Sequence, residues 1–224
     1  MSTDKTPYES LKELIEVEKK QKERECGKFL DLCKDLLVIG TPIAFIHSET
    51  EYRGNTGDSD YIVSCKTRDG TSLETNNAYI WELKAPQCYI FEADTRQRLI
   101  PSKDLIKAEN QLFHYFHEYR GSIDFHSRFE VHPNNIHIGG IIIGTKERYV
   151  KGNYEPERKT RLYSHSLMIR KEYVYRTLGL QIFTWDRILE QIKEQKTDRI
   201  PYDDMSEAIS AHSGSVQQDI EIHE

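Results

Sequence analysis

The sequence has no apolar run long enough to cross a membrane as a helix. Its longest such stretches are short, for example IGGIIIG at 138–144, where a span needs roughly 20 apolar residues. The opening MSTDKTPYES lacks the basic-then-apolar order of a secretory signal. Cysteine is scarce, and Cys26, Cys33, Cys65 and Cys88 show no paired, metal-type spacing. They read as reduced, mostly buried thiols of a cytoplasmic protein. There is no internal repeat and no low-complexity tract. Gly139, Gly140 and Gly144 are not followed by G-K-[ST], so they form no phosphate loop. They suit the close packing of a buried strand instead.

What remains is a polar chain of 224 residues, 37% hydrophobic and 30% charged. That length suits one domain with a tail and is enough for a real core. The net charge of -6 argues against nucleic acid as a partner, but its distribution matters more than its sum. From Asp186 to Glu224 there are ten acids and four Lys or Arg, a net of -6. From Thr145 to Arg176 there are nine Lys or Arg and four acids, a net of +5. That basic segment is either a solvated surface or the footprint of a polyanion.

TPYE at 6–9 is a helix start, with Thr6 as cap, Pro7 in the first helical position and Glu9 closing a capping box. The helical pattern runs to about Leu37, with a break expected at Gly27. PIAFIHSETEY (42–52), DYIVSCK (60–66) and AYIWELK (78–84) predict a three-stranded meander, with GNTG (54–57) as a turn. Residues 86–101 read as a loop. A helix capped by Ser102 and stopped by Gly121 follows, then the buried strand NIHIGGIIIGT. A further helix ends at Gly179, LQIFTW is a short strand, and a last helix is capped by Asp186. The order predicts an α/β fold whose mixed sheet is antiparallel first and uses crossover helices later. Residues 1–24 read as a helical extension and 199–224 as an acidic, weakly ordered tail.

One strand carries charges that its neighbours do not explain. In NNAYIWELKAP (76–86), Glu82 and Lys84 are two apart and therefore share a face, with Trp81 and Leu83 on the other. An isolated E-x-K is more often a structural ion pair. Here Asp60 opens the preceding strand, and a hairpin brings it beside Glu82. Asp58 shares its parity but lies nearer the turn. Two carboxylates with a lysine at a sheet edge suit a divalent cation that prefers oxygen, Mg²⁺ or Mn²⁺. Asp60, Glu82 and the Leu83 carbonyl are the expected ligands. Lys84 is expected to hold the attacking water and to offset transition-state charge.

At these residues the chain resembles the PD-(D/E)XK nuclease superfamily, with a restriction-endonuclease-like sheet. The succession of ELKAP, KAENQLFHY, IGGIIIGTKER and LQIFTWDRILEQI is similar to the nuclease domain of the Shedu family of bacterial anti-phage defence proteins. The resemblance spans roughly residues 25–195, within a nuclease-like domain placed at 25–198. It implies a DNA endonuclease or nickase, dependent on Mg²⁺ with Mn²⁺ as a substitute. The acidic ligands fall on Asp60 and Glu82, the catalytic lysine on Lys84 and the helix glutamine on Gln111. It also implies a first-helix glutamate facing the metal, Glu25 or Glu23. A homo-oligomeric assembly and gating by a sensor or regulatory partner follow from the same resemblance. Lys107, one turn before Gln111, and Lys146, Arg148, Lys151, Arg158, Lys159 and Arg161 are candidate contacts to a nucleic-acid backbone. His114 and His117 are three apart, but no further ligands follow at usable spacing.

A competing reading is a non-catalytic nucleic-acid-binding or regulatory module on the same fold, which the net acidity favours and the complete Asp, Glu-x-Lys set disfavours. A third is an interaction subunit, which predicts an apolar surface on the first helix or around 160–178.

Overall fold

Alternation within three consecutive strands builds the sheet. In the computed structural model, which describes residues 5–17, 23–55, 57–68 and 72–197, β1 (Pro42–Arg53), β2 (Asp58–Arg68) and β3 (Glu74–Leu83) form the expected antiparallel meander. In β2, Tyr61, Val63 and Cys65 enter one apolar cluster and Ile62 enters another, as a period of two requires. Residues 18–22 of the first helical stretch, Thr56 of the GNTG turn and the acidic tail at 199–224 lie outside the described residues.

After β3 the chain makes a small hairpin, β4 (Phe91–Ala93) and β5 (Leu99–Pro101). This corrects the loop expected at 86–101. Strands of three residues are too short to show periodicity, but the turn between them is built by a side chain. Asp94 Oδ1 accepts from the amides of Arg96 and Arg98, each at 2.8 Å. Helix α3 (Lys103–Gly121) follows, capped by Ser102, whose Oγ accepts from Leu105 N at 3.1 Å.

Strand β6 (Ile136–Ile142) then pairs parallel to β3, and β7 (Gln181–Phe183) pairs parallel to β6. The sheet order is β1-β2-β3-β6-β7. This is an α/β fold with a five-stranded mixed sheet flanked by helices, compatible with a restriction-endonuclease-like arrangement.

Each face of the sheet is covered. On one face Leu105, Ala108, Leu112 and Tyr119 of α3 pack on Ile62, Ala78, Ile80 and Ile138. On the other, Leu11 of α1 (Pro7–Glu16) joins Tyr61, Val63, Trp81, Trp185 and Ile188. The central strands β3 and β6 are therefore buried on both sides, which is why they read as apolar runs. Close approach here depends on glycine. A Cβ at Gly139 would collide with the Trp81 indole, and one at Gly140 with the Gln181 carbonyl and the Trp81 ring.

The first helical stretch is more broken than its periodicity suggests. It divides into α1, a short α2 (Glu23–Gly27) and a 3-10 segment, Leu30–Leu37, kinked at Cys33 (φ -135, ψ 34). The 3-10 segment ends where Trp81 Nε1 donates to the Leu37 carbonyl at 2.8 Å. After α3 a short α4 (Ile123–Arg128) is capped by Ser122. Helix α5 (Pro156–Arg170) runs through a π turn, Lys171–Tyr175, into α6 (Arg176–Leu178) and stops at Gly179 with φ 68. Arg170 reaches back to Glu109 of α3 at 2.6 Å. The final helix is α7 (Trp185–Thr197). Asp186 lies in its first turn rather than capping it, and accepts from the Lys146 amide at 2.6 Å.

The chain divides into a compact unit, Met1–Ile192, and a second, Lys193–Glu224, of which only the end of α7 is described. No helix among the described residues is long and apolar enough to cross a membrane.

Candidate active site

The register of β2 and β3 sets the geometry. Their paired residues run out to Tyr61↔Trp81. One residue further, Asp60 lies at the level of Glu82, and its Oδ2 accepts from the Leu83 amide at 2.7 Å. Glu82 is buried, at 1% exposure, and Lys84 is nearly so, at 7%. Lys84 Nζ donates to Glu82 Oε1 at 2.5 Å and to the Leu83 carbonyl at 2.9 Å. Asp60, Glu82, the Leu83 carbonyl and Lys84 are thus brought together at the end of the two strands. Asp58 is exposed.

The Lys84 backbone is held from two sides. Its amide donates to the Ile142 carbonyl at 2.8 Å, and its carbonyl accepts from Trp185 Nε1 at 2.7 Å. An ammonium has three donors, and Glu82 and Leu83 take two of them, so one is left for a ligand.

The electrostatics are unbalanced. Burial, and then repulsion by Asp60, push the Glu82 carboxyl well above the usual carboxylate range, and the attraction of Lys84 does not cancel them. Burial also raises Asp60, against the Leu83 amide and Lys84. Lys84 is pulled down by burial, but Glu82 more than offsets this and leaves it above its ordinary value. The two carboxyls therefore hold a proton more readily than free ones do, and Asp60, half-buried, meets Glu82 through it. No donor of the fold reaches the buried second oxygen, Glu82 Oε2, and a buried acceptor left unmade is costly.

A divalent cation fits that deficit. The donors are hard oxygens, and a cation beside them would reverse the repulsion that raises both carboxyls. Among the described residues no group of three or more His, Cys, Asp and Glu is arranged as a ready metal cage. The protein's share of such a site would be Asp60, Glu82 and the Leu83 carbonyl, the rest falling to water and substrate.

Gln111 is half-buried on α3, and its Oε1 is buried without a partner. Its side chain hydrogen-bonds Tyr115 one turn on, and the Tyr115 hydroxyl is raised by burial and then by the charge of Glu82. Tyr115 therefore connects Gln111 electrostatically to the carboxylates. In the sequence Tyr115 lies four residues after Gln111, on the same helix face.

Of the two first-helix acids, Glu25 and Glu23, the second lines the cavity beside Asp60. Glu25 is exposed, whereas Glu23 lines a cavity with Asp60 and Leu83 and bears electrostatically on both Asp60 and Lys84. On a helix these positions are about 200° apart, so only one can face the sheet.

The basic segment is also less available than its composition suggests. Lys146 pairs with Glu190 at 2.7 Å, and Lys151 with Glu92 at 3.8 Å. Arg148 donates to the Tyr89 hydroxyl at 2.7 Å and lies over that ring. Lys159 donates to the Glu147 carbonyl at 3.0 Å. Arg158 stacks over Tyr154 and is exposed, as are Arg161 and, on α3, Lys107. None of these seven is among the residues that contact Asp60, Glu82 or Lys84 in the described part of the chain. Two contributors left no signal in the sequence: Trp185, which read only as the end of a strand, and Glu23 in preference to Glu25. In comparisons with known proteins, no family model matches the chain and no curated protein sequence matches it.

Proposed function

We propose that this chain is a divalent-metal-dependent nuclease that hydrolyses DNA phosphodiester bonds, as an endonuclease or nickase. The observation that carries the reading is the meeting of Asp60 and Glu82 with Lys84 at one sheet end, where a buried Glu82 oxygen has no partner. A purely structural ion pair needs one acid for one base; here a second, half-buried acid stands beside Glu82, and a proton or a cation must offset the repulsion between them.

Asp60 and Glu82 hold Mg²⁺ or Mn²⁺, with the Leu83 carbonyl as a third oxygen. When bound there, the cation supplies Lewis acidity and a water of lowered pKa. Lys84 uses its remaining donor on the phosphate or on the incoming water. Its charge offsets what develops on the phosphoryl oxygens. Gln111, kept in place by Tyr115, offers an amide to the same water or phosphate. The fixed Lys84 backbone keeps these groups oriented before substrate arrives.

The wider reading rests on the resemblance to Shedu-type PD-(D/E)XK nucleases: a homo-oligomeric anti-phage defence protein gated by a sensor or regulatory partner. Four buried cysteines, none of them in a disulfide, support a reducing, cytoplasmic setting.

The test is cleavage of plasmid and linear DNA with Mg²⁺, Mn²⁺ or EDTA, comparing the wild type with Glu82→Ala and Lys84→Ala. Metal-dependent nicking or cutting that both substitutions abolish is the expected result. Equal activity in all three proteins marks a contaminant and overturns the site. No cleavage with either metal favours the non-catalytic binding module.

A further inference from the structure

Beside Asp60 lies a cavity of about 570 Å³ whose two walls differ in charge. One wall is α2 and the residue after it, with Arg24 and Lys28 four positions apart and the acid Glu23 before them. The other is β1, with Thr50 and Glu51. Gly27 sets their distance from the carboxylates, because a Cβ there would stand 3.0 Å from Leu83 Cδ1. That close approach presses α2 against the strand carrying Glu82 and Lys84.

Arg24 Nη2 crosses the cavity mouth and pairs with Glu51 Oε2. Glu51 is held there by an unusual backbone. Its φ is 57, in the left-handed region that non-glycine residues rarely adopt. It sits between the register pairs Thr50↔Tyr61 and Tyr52↔Ser59, and so at the level of Asp60. The Arg24 side chain is 75% exposed, and an exposed ion pair contributes little to stability. The guanidinium is thus lightly held and can change partners. A phosphate presents the same pair of acceptor oxygens as a carboxylate and carries the same sign.

We infer that Arg24, with Lys28 beside it, binds a backbone phosphate of the nucleic acid adjacent to the one at Asp60, and that Glu51 occupies Arg24 until that phosphate displaces it. The identity of the ligand rests on the nuclease reading; the exchange of Glu51 for an anion does not. Arg24 and Lys28 bring positive charge to the carboxylate end of the sheet, where none of the basic segment from Lys146 to Arg161 contacts Asp60, Glu82 or Lys84.

The experiment is binding of a short labelled DNA duplex in EDTA, where no metal-dependent cleavage occurs, as a function of salt. Circular dichroism checks each variant's fold. Glu51→Gln is expected to tighten binding about threefold to tenfold by releasing Arg24 and removing a negative charge. Arg24→Ala is expected to weaken binding and lower the slope of log K against log salt by about one, and Arg24→Lys to keep that slope. Unchanged affinity and slope in Arg24→Ala, or a wild type that does not bind the duplex at low salt, overturns the inference. If the wild type never cleaves DNA but Arg24→Ala still lowers the slope, the phosphate site stands and the nuclease reading falls. If cleavage is intact and both variants bind like the wild type, the reverse holds.

Discussion

Asp60 is the residue whose removal separates stability from activity. It accepts from the Leu83 amide but also repels Glu82 in a dry site. Asparagine keeps an acceptor and removes the repulsion. Asp60→Asn is therefore expected to abolish cleavage while raising metal-free stability by about 1 kcal/mol, read as a higher Tm. The effect depends on pH. Asp60 and Glu82 are both raised in the folded protein, so the native state binds more protons than the unfolded chain. Their contribution is fully present below the ordinary carboxylate range and is lost as pH rises through the folded values. The Tm advantage of Asp60→Asn over the wild type should accordingly grow from acidic to neutral pH in EDTA. Saturating Mn²⁺ should stabilise the wild type and reverse that advantage. An advantage that stays constant across that range would contradict the assigned repulsion. Lys84→Met is expected to lower kcat by more than about 100-fold, measured at saturating DNA. At this scale the sequence was informative because a period of two places Glu82 and Lys84 together, and a hairpin places Asp60 beside them. It could not separate Glu23 from Glu25, because the helix phase is lost where the first stretch breaks before and after α2.

At the scale of elements, the site is held by parts that come from far along the chain. Strand β6 takes the Lys84 amide, and the first residue of α7 takes its carbonyl. Trp185→Phe keeps an aromatic ring in the core but removes the N–H and part of the indole's volume. It is expected to cost about 2 kcal/mol or more of stability and to lower kcat more than it raises KM, since it acts through Lys84; steady-state kinetics separate the two. Gly140→Ala is expected to destabilise by about 2 kcal/mol or more, read by urea unfolding, because its methyl group meets the Gln181 carbonyl and the Trp81 ring. The meander, α3 and β6 were legible from alternation, caps and apolar runs. The β4–β5 hairpin was not, because three-residue strands carry no period. Asp186 has the composition of a cap, and only the tertiary placement of Lys146 gives it another donor.

Over the whole molecule, net charge and local charge diverge. The chain is acidic and its site is acidic, yet the proposed ligand is a polyanion. By composition the +5 segment at 145–176 is either a solvated surface or a polyanion footprint, and in the fold Lys146, Arg148, Lys151 and Lys159 have partners of their own. Composition counts charges and cannot show which are spent, which is why the basic run was legible and its role was not. Salt dependence of DNA binding is still expected, with a modest slope, because Arg24 and Lys28 are the cations that line the cavity beside Asp60.

A nuclease of this kind needs a cation at Asp60 and Glu82, and cation binding requires neither a trigger nor an assembly. The decisive measurement is calorimetric titration of Mn²⁺ into the full chain, wild type beside Asp60→Asn and Glu82→Gln. Saturable binding to the wild type is expected, weakened by each substitution at least about tenfold. Binding that is absent from the wild type, or unchanged in both variants, would contradict the proposed site.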